Sequence, residues 1–200
     1  MARYTGPVWR KARRFGYSIL GNDKELNKRN YAPGQHGQGR HKVTEYGTQL
    51  TEKQRVKYIY GLTEKQFRKT FDEAKKIREG KQGANFLILL ESRLDNLVYR
   101  AGFAKTRQQA RQLVSHGHVT LDGKKADIPS IRVKPGQVIS LKDASKSLQI
   151  VKDNLEATLA RQPYIEFNQD KLEATYVRYP EREEFLPEIK ENLIVEFYNR

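Results

Sequence analysis

The 200-residue sequence has no cysteine. This absence excludes a disulfide framework, a thiolate metal site and a cysteine nucleophile. Long apolar runs are also missing. Phe86-Leu-Ile-Leu-Leu90 is the longest and meets Glu91 after five residues, whereas a membrane-crossing helix needs about twenty. The start, Met1-Ala-Arg-Tyr4, lacks the apolar stretch of a secretory signal. Only 37% of residues are apolar, enough for the core of one domain or of two small ones. What is plentiful is positive charge: 38 Lys+Arg stand against 24 Asp+Glu, a formal net charge of +14. An intracellular binder of polyanions is the expectation.

The excess is unevenly placed. Residues 1–42 carry a net +8, residues 43–91 +3, residues 92–149 +7 and residues 150–200 −4. Two basic blocks thus flank a near-balanced one, and the tail is acidic. A surface that must cover phosphates calls for such asymmetry, because each Lys or Arg contact releases condensed counterions.

Residues 1–42 mix Gly, Arg and Lys with the aromatics Tyr4, Trp9, Phe15, Tyr17 and Tyr31. Trp9 to Phe15 reads as a short helix, and Gly21-Asn-Asp, Pro33-Gly and Gly37-Gln-Gly read as turns. With so little apolar surface, the segment is expected to fold fully only against a partner. Helices are expected over Thr51–Gly61 and Thr63–Gly80. In the second, Thr63 and Gln66 have the spacing of a capping box. Leu87, Leu90, Leu94, Leu97, Val98 and Ala101 mark one stripe of a third helix, closed by Gly102. Thr106-Arg-Gln-Gln109 is a second capping box that opens a helix to Ser115. His118–Leu121 and Val138–Leu141 read as strands, with turns at Asp122-Gly123 and Lys134-Pro-Gly136. A further helix containing Ile150, Val151, Leu155 and Leu159 is stopped by Pro163. Tyr164–Phe167 and Leu172–Thr175 are placed to pair with each other.

The informative stretch is Arg93 to Leu141. Arg107 and Arg111 lie four apart on the helix that Thr106 opens, beside the apolar Ala110, Leu113 and Val114. That helix can bury one side and lay two guanidinium groups along a phosphate backbone, whose oxygens match the planar fork of arginine. Its N-terminus and Lys105 add further positive potential.

This arrangement resembles the S4-type RNA-binding domain, also called the alpha-L motif. The matching stretches are Arg93-Leu-Asp-Asn-Leu-Val98, Gly102-Phe-Ala-Lys-Thr-Arg107, Ala110-Arg-Gln-Leu-Val114 and Gly117-His-Val-Thr-Leu-Asp-Gly123. Such a domain implies RNA binding but no single function. Met1-Ala-Arg-Tyr-Thr-Gly-Pro7, Pro33-Gly-Gln-His-Gly37, Glu45-Tyr-Gly-Thr-Gln-Leu50, Glu52-Lys-Gln-Arg55, Tyr58-Ile-Tyr-Gly61 and Glu64-Lys-Gln-Phe-Arg68 extend the likeness. They resemble the bacterial small-subunit ribosomal protein S4 family. Many members bind zinc through four N-terminal cysteines. This chain resembles the zinc-free form, in which packing of Trp9 and Tyr17, or the RNA, replaces the metal.

The resemblance implies an α+β fold: a mostly helical body, an inserted S4-type domain with a small antiparallel sheet, and a basic N-terminal arm. The arm is expected over 1–42, the body over 43–91 completed by 153–200, and the RNA-binding domain over 92–152. The implied role is structural and non-enzymatic, in the cytoplasmic ribosome, with no cofactor, metal, membrane or self-association. Members bind the 5′ domain of 16S ribosomal RNA, nucleate assembly of the body, and affect decoding accuracy through ribosomal protein S5. They also lie beside the channel by which messenger RNA enters, where Arg40 and Lys42 are placed by the likeness. The RNA-binding candidates are Arg3, Arg10, Lys11, Arg13, Arg14, Arg29, Gln35, His36, Arg40, Lys42, Arg55 and Lys57. In the S4-type domain they are Lys105, Thr106, Arg107, Arg111, His116, His118 and Lys124.

Competing readings are weaker. Arg93-Leu-Asp95 resembles the core of pseudouridine-synthase sites, but too little chain follows residue 141 for a catalytic domain of about 100 residues. An exposed or capping carboxylate is the expectation for Asp95. Gly34-Gln-His-Gly37-Gln-Gly39 lacks the strand and the Gly-Lys-Ser/Thr of a phosphate loop and reads as a turn that presents Gln35 and His36. The pairs His36/His41 and His116/His118 lack completing ligands for a metal. The acidic tail, with Glu181, Glu183, Glu184 and Glu188, is either solvated surface or a face that meets a basic neighbour.

Overall fold

The computed structural model describes residues 4–21, 23–39, 42–158 and 161–200. The expected positions Arg3, Asn22, Arg40, His41 and Leu159 lie outside these. The chain divides into two compact units, Met1–Phe86 with Glu188–Arg200, and Leu87–Pro187.

The first unit is helical. Its elements are α1 (Val8–Phe15), α2 (Lys24–Lys28), α3 (Glu45–Ile59), α4 (Glu64–Ala74), the start of α5 (Gln82–Glu91), and α10 (Glu191–Asn199), the last helix of the chain. Phe67, Phe71 and Phe86 are fully buried and meet edge-on, with Phe86 centroids 4.9 and 5.5 Å from the other two rings. Such T-shaped contacts suit the ring quadrupoles. α3 begins at Glu45, before the expected Thr51, because the Thr44 hydroxyl accepts from the Gly47 N–H and caps it. Thr63 caps α4 only through its carbonyl, which accepts from Phe67; its side chain makes no capping bond. α4 also stops at Ala74, short of Gly80.

The expected third helix is two helices, α5 and α6 (Leu94–Arg100). Arg93 between them is extended and bridges Arg132. Val133 N–H donates to the Ser92 carbonyl and Leu94 N–H to that of Ile131. These tertiary bonds replace the helical ladder. The apolar stripe from Leu87 to Ala101 is buried as expected.

In the second unit, α7 (Arg107–Ser115) packs on α6. β1 (Val119–Leu121), β2 (Lys124–Lys125) and β3 (Val138–Leu141) follow, then α8 (Asp143–Lys146), α9 (Gln149–Ala157), β4 (Ile165–Asn168), β5 (Glu173–Tyr176) and a 3-10 turn, Arg182–Glu184. The five strands form one antiparallel sheet in the order β2-β1-β3-β5-β4. Val119 faces Leu141, Ile139 faces Ala174 and Ile165 faces Tyr176. Asp122 and Gly123 both take positive φ, 49° and 76°, as a two-residue hairpin turn requires.

The β4–β5 hairpin forms where expected, but it extends the sheet through β3. An isolated hairpin cannot bury its apolar face. The stretch 153–187, assigned from sequence to the helical body, therefore folds with the sheet, and only Glu188–Arg200 returns to the first unit. Among the described residues no helix is long and apolar enough to cross a membrane.

Candidate nucleic-acid interface

In the first unit, α1 is entered from Pro7 and ended by Gly16, whose φ of 59° suits glycine. Ala12 is its buried residue. Arg10 and Arg14 are exposed and four apart, so they share one flank. Arg13 and Arg14 complement the negative C-terminal end of the helix dipole. Two further candidates are half-buried against rings. Lys11 Nζ lies 5.0 Å from the Tyr58 centroid, and Arg13 Nε donates to the Tyr31 carbonyl at 3.1 Å while its guanidinium covers the Tyr31 ring. Trp9 is 45% exposed, so it does not supply the packing expected in place of a metal. A helix only eight residues long, with Ala12 as its buried position, turns Trp9 away from the core.

Arg29, Gln35, His36 and Lys42 are exposed. Gln35 and His36 sit on consecutive turns, with Gly37 N–H donating to the Gly34 carbonyl and Gly39 N–H to that of His36. A Cβ at Gly37 would meet the Ala32 carbonyl oxygen at 1.8 Å, so this turn needs glycine. Arg55 and Lys57 are partly engaged within the fold. The Arg55 guanidinium lies 4.3 Å from the Tyr17 centroid and pairs with Glu52 at 3.7 Å. Lys57 and Lys53 hold Glu64 at 3.1 and 2.7 Å. Burial alone would raise the Glu64 pKa, but hydrogen bonds from Lys53, Lys57 and Tyr198 outweigh it and hold the group below its ordinary value. Burial, reinforced by Glu64, pushes the Tyr198 hydroxyl up.

In the second unit, the Thr106 hydroxyl accepts from Gln109 N–H at 3.2 Å. The Gln109 side chain reaches back to Lys105 N–H at 2.8 Å rather than to Thr106, so the capping box is displaced by one residue. Lys105 is exposed. Arg107 is half-buried. Its Nε donates to Asn96 Oδ1 at 2.8 Å, and its guanidinium lies 4.5 Å from the Tyr99 centroid.

Arg111 is only 7% exposed, so the expected pair of guanidinium groups on one solvent flank does not form. The buried arc of α7 comprises Ala110, Arg111, Leu113 and Val114, wide enough to take in position 111. His116 is exposed, whereas His118 Nδ1 lies 2.9 Å from the hydroxyl of buried Ser145. Lys124 is exposed on the edge strand β2. Among the described residues no three His, Asp or Glu side chains are grouped to hold a metal ion.

Asp95 is neither exposed nor a simple cap. It is buried in a two-pronged pair with Arg93, at 3.1 and 2.9 Å, and also accepts from Asn96 N–H. Beside it lies a polar cluster that the apolar pattern concealed. Glu91 is fully buried and holds Asn96 and Arg100. Burial and the charge of Glu91 push the Tyr164 hydroxyl up, and burial takes that of Tyr176 to about 12. The detectable signal was the polar run Glu91-Ser-Arg-Leu-Asp-Asn96 set within the apolar stripe from Leu87 to Ala101. In the tail, Glu184 is tied to Arg178 and to the Glu181 N–H, and the Arg178 contact lowers its pKa.

Residues 3–91 match the family described as the ribosomal protein S4/S9 N-terminal domain, and residues 92–139 match the S4 domain. The small ribosomal subunit protein uS4 of Ligilactobacillus salivarius is 61% identical over 201 positions, covering 100% of both chains. Those of Latilactobacillus sakei and Geobacillus kaustophilus are 61% and 59% identical, again over 100% of both chains. The chain belongs to the uS4 family. This is a family of ribosomal proteins, not of enzymes. In this uS4-family chain the S4-domain match covers α6, α7, β1, β2 and the first residues of β3, while the sheet continues through β5.

Proposed function

We propose that the chain is a structural constituent of the small ribosomal subunit and binds the 5′ domain of 16S ribosomal RNA early, nucleating assembly of the body. The supporting observation is the way short, capped elements present cations: Arg10 and Arg14 on α1, and Lys105, Arg107 and Lys124 around α7 and the β1–β2 hairpin. A folded RNA junction offers phosphates and 2′-hydroxyls rather than a readable groove, which suits Arg and Lys with few base contacts. Arg29, Lys42, Gln35, His36 and His116 extend this set, and Lys11, Arg13, Arg55, Lys57, Thr106 and His118 support it from half-buried positions. Residues 1–42 act as the arm, which tightens on RNA. Arg111 serves from within the fold.

In the same reading, contact with ribosomal protein S5 links the chain to decoding accuracy. Lys42 lies near messenger RNA, and one copy acts per particle in the cytoplasm. The test is binding of the pure chain to 16S 5′-domain RNA across a salt series, with footprinting. A protected junction and a steep salt slope are expected. Equal affinity for random duplex RNA would defeat the proposal.

A further inference from the structure

Glu91 is 0% exposed at the end of α5, too deep to touch RNA itself. Its carboxylate accepts from Asn96 Nδ2 at 2.6 Å, from Arg100 Nη2 at 2.8 Å and from the Tyr164 hydroxyl at 3.2 Å. Asn96 Nδ2 also donates to the Glu91 backbone carbonyl at 3.0 Å. Both hydrogens of the Asn96 amide are thus engaged by one residue, which fixes which way round the amide sits. Its oxygen must face the other side, where it accepts from Arg107 Nε at 2.8 Å. The Tyr99 ring lies 4.5 Å from the same guanidinium. An edge bond and a stacked face together set the plane of a side chain that otherwise samples many rotamers.

We infer that Asn96, clamped by the buried carboxylate of Glu91, is a positioning residue that holds the Arg107 guanidinium ready for an RNA phosphate. The inference rests on the proposed RNA-binding role of Arg107 and adds how that role is prepared. Asn96 contributes no charge to the interface. Its loss leaves the positive charge of Arg107 in place and removes only its order, so affinity falls while the number of released counterions does not. Glu91 retains Arg100 and Tyr164 when Asn96 is truncated, so the buried acid is not left bare.

The test uses the full chain and 16S 5′-domain RNA, with affinity measured over a salt series. Asn96→Ala should weaken binding by about two- to tenfold, the range for releasing one ordered long side chain, with the salt slope unchanged. Arg107→Ala should weaken binding and lower the slope by about one. In the Arg107→Ala background, Asn96→Ala should have no further effect. An equal loss in both backgrounds, a changed slope with Asn96→Ala, or no loss at all would overturn the positioning role. If Asn96→Ala does not fold, Arg107→Lys probes the bond from its other end. It keeps the charge and lacks Nε–H, so weaker binding at unchanged slope is expected, and unaltered affinity overturns the proposal. Parent-like affinity and slope in Arg107→Ala would overturn it as well. Failure of the parent chain to bind this RNA would instead sink the proposed function.

Discussion

The two units hold their candidate cations by different means. In the first, Lys11, Arg13 and Arg55 lean on tyrosine rings, and Arg10 and Arg14 extend from a helix with Ala12 as its buried residue. In the second, Arg107 also lies against a tyrosine ring, Tyr99, but is in addition tied through Asn96 to a carboxylate in the core. Ring contacts tolerate sliding, and at exposed sites they contribute about 0.5–1 kcal/mol. A buried, directional network has one arrangement and a high cost of disruption. The first unit therefore offers charge on an adjustable surface, and the second offers a prepared contact.

The sharpest way to break this contrast is at Glu91. Glu91→Ala leaves Arg100 without its buried carboxylate and Asn96 Nδ2 with only the backbone carbonyl of position 91, and should destabilise the second unit by about 3–5 kcal/mol. Chemical denaturation followed by backbone NMR signals of each unit checks this, with Trp9 fluorescence reporting on the first. An equal shift in both units would show that they unfold together.

The next effect is on binding. Arg10→Ala with Arg14→Ala should cost little stability, because both side chains are exposed, and should lower the salt slope by about two. Arg107→Ala with Arg111→Ala should lower it by only about one, because Arg111 is buried. A drop of two from the second pair would place Arg111 on the RNA. By itself, Arg111→Ala should appear in the melt rather than in the slope, with a cost of about 0.5–3 kcal/mol for lost packing.

The smallest effect is a pH dependence confined to the first unit. The folded pKa of Glu64 is below its ordinary 4.5, so folding favours the ionised form. Its contribution is complete above the unfolded value and is lost as pH falls through the folded one. Glu64→Gln should flatten the acid limb of first-unit stability below pH 4.5. The effect is modest, since the side chain is 46% exposed. An unchanged acid limb would show that the Lys53–Glu64–Lys57 cluster adds nothing to folding.

The periodic signals were legible in the sequence. The stripe from Leu87 to Ala101, the Thr106 cap, the Asp122-Gly123 turn and the pairing of 164–167 with 172–175 all appear at or near their expected positions. Local capping was less legible. Thr44 caps through its side chain although Gly47 stands where a capping box needs Glu or Gln, and Thr63 does not, although Gln66 gives it the spacing. The break at Arg93 left no mark in the periodicity, because Leu94 continues the apolar stripe across it. The site was legible as charge and much less as geometry. The positions of Arg10 and Lys105 followed from pattern, whereas the burial of Arg111 and the bond from Arg107 to Asn96 did not.

A linear chain of residue types was sufficient for the basic and acidic segments, the absence of thiol chemistry, the α+β character and the family, since these depend on composition, spacing and local turns. Which strand joins which sheet, which arginine is enclosed and which amide orients another had to await the folded molecule. Those outcomes depend on distant segments competing for the same buried surface and hydrogen bonds. Residues 96 and 107 are eleven apart in sequence, and only the packing of α7 on α6 brings Asn96 Oδ1 within 2.8 Å of Arg107 Nε.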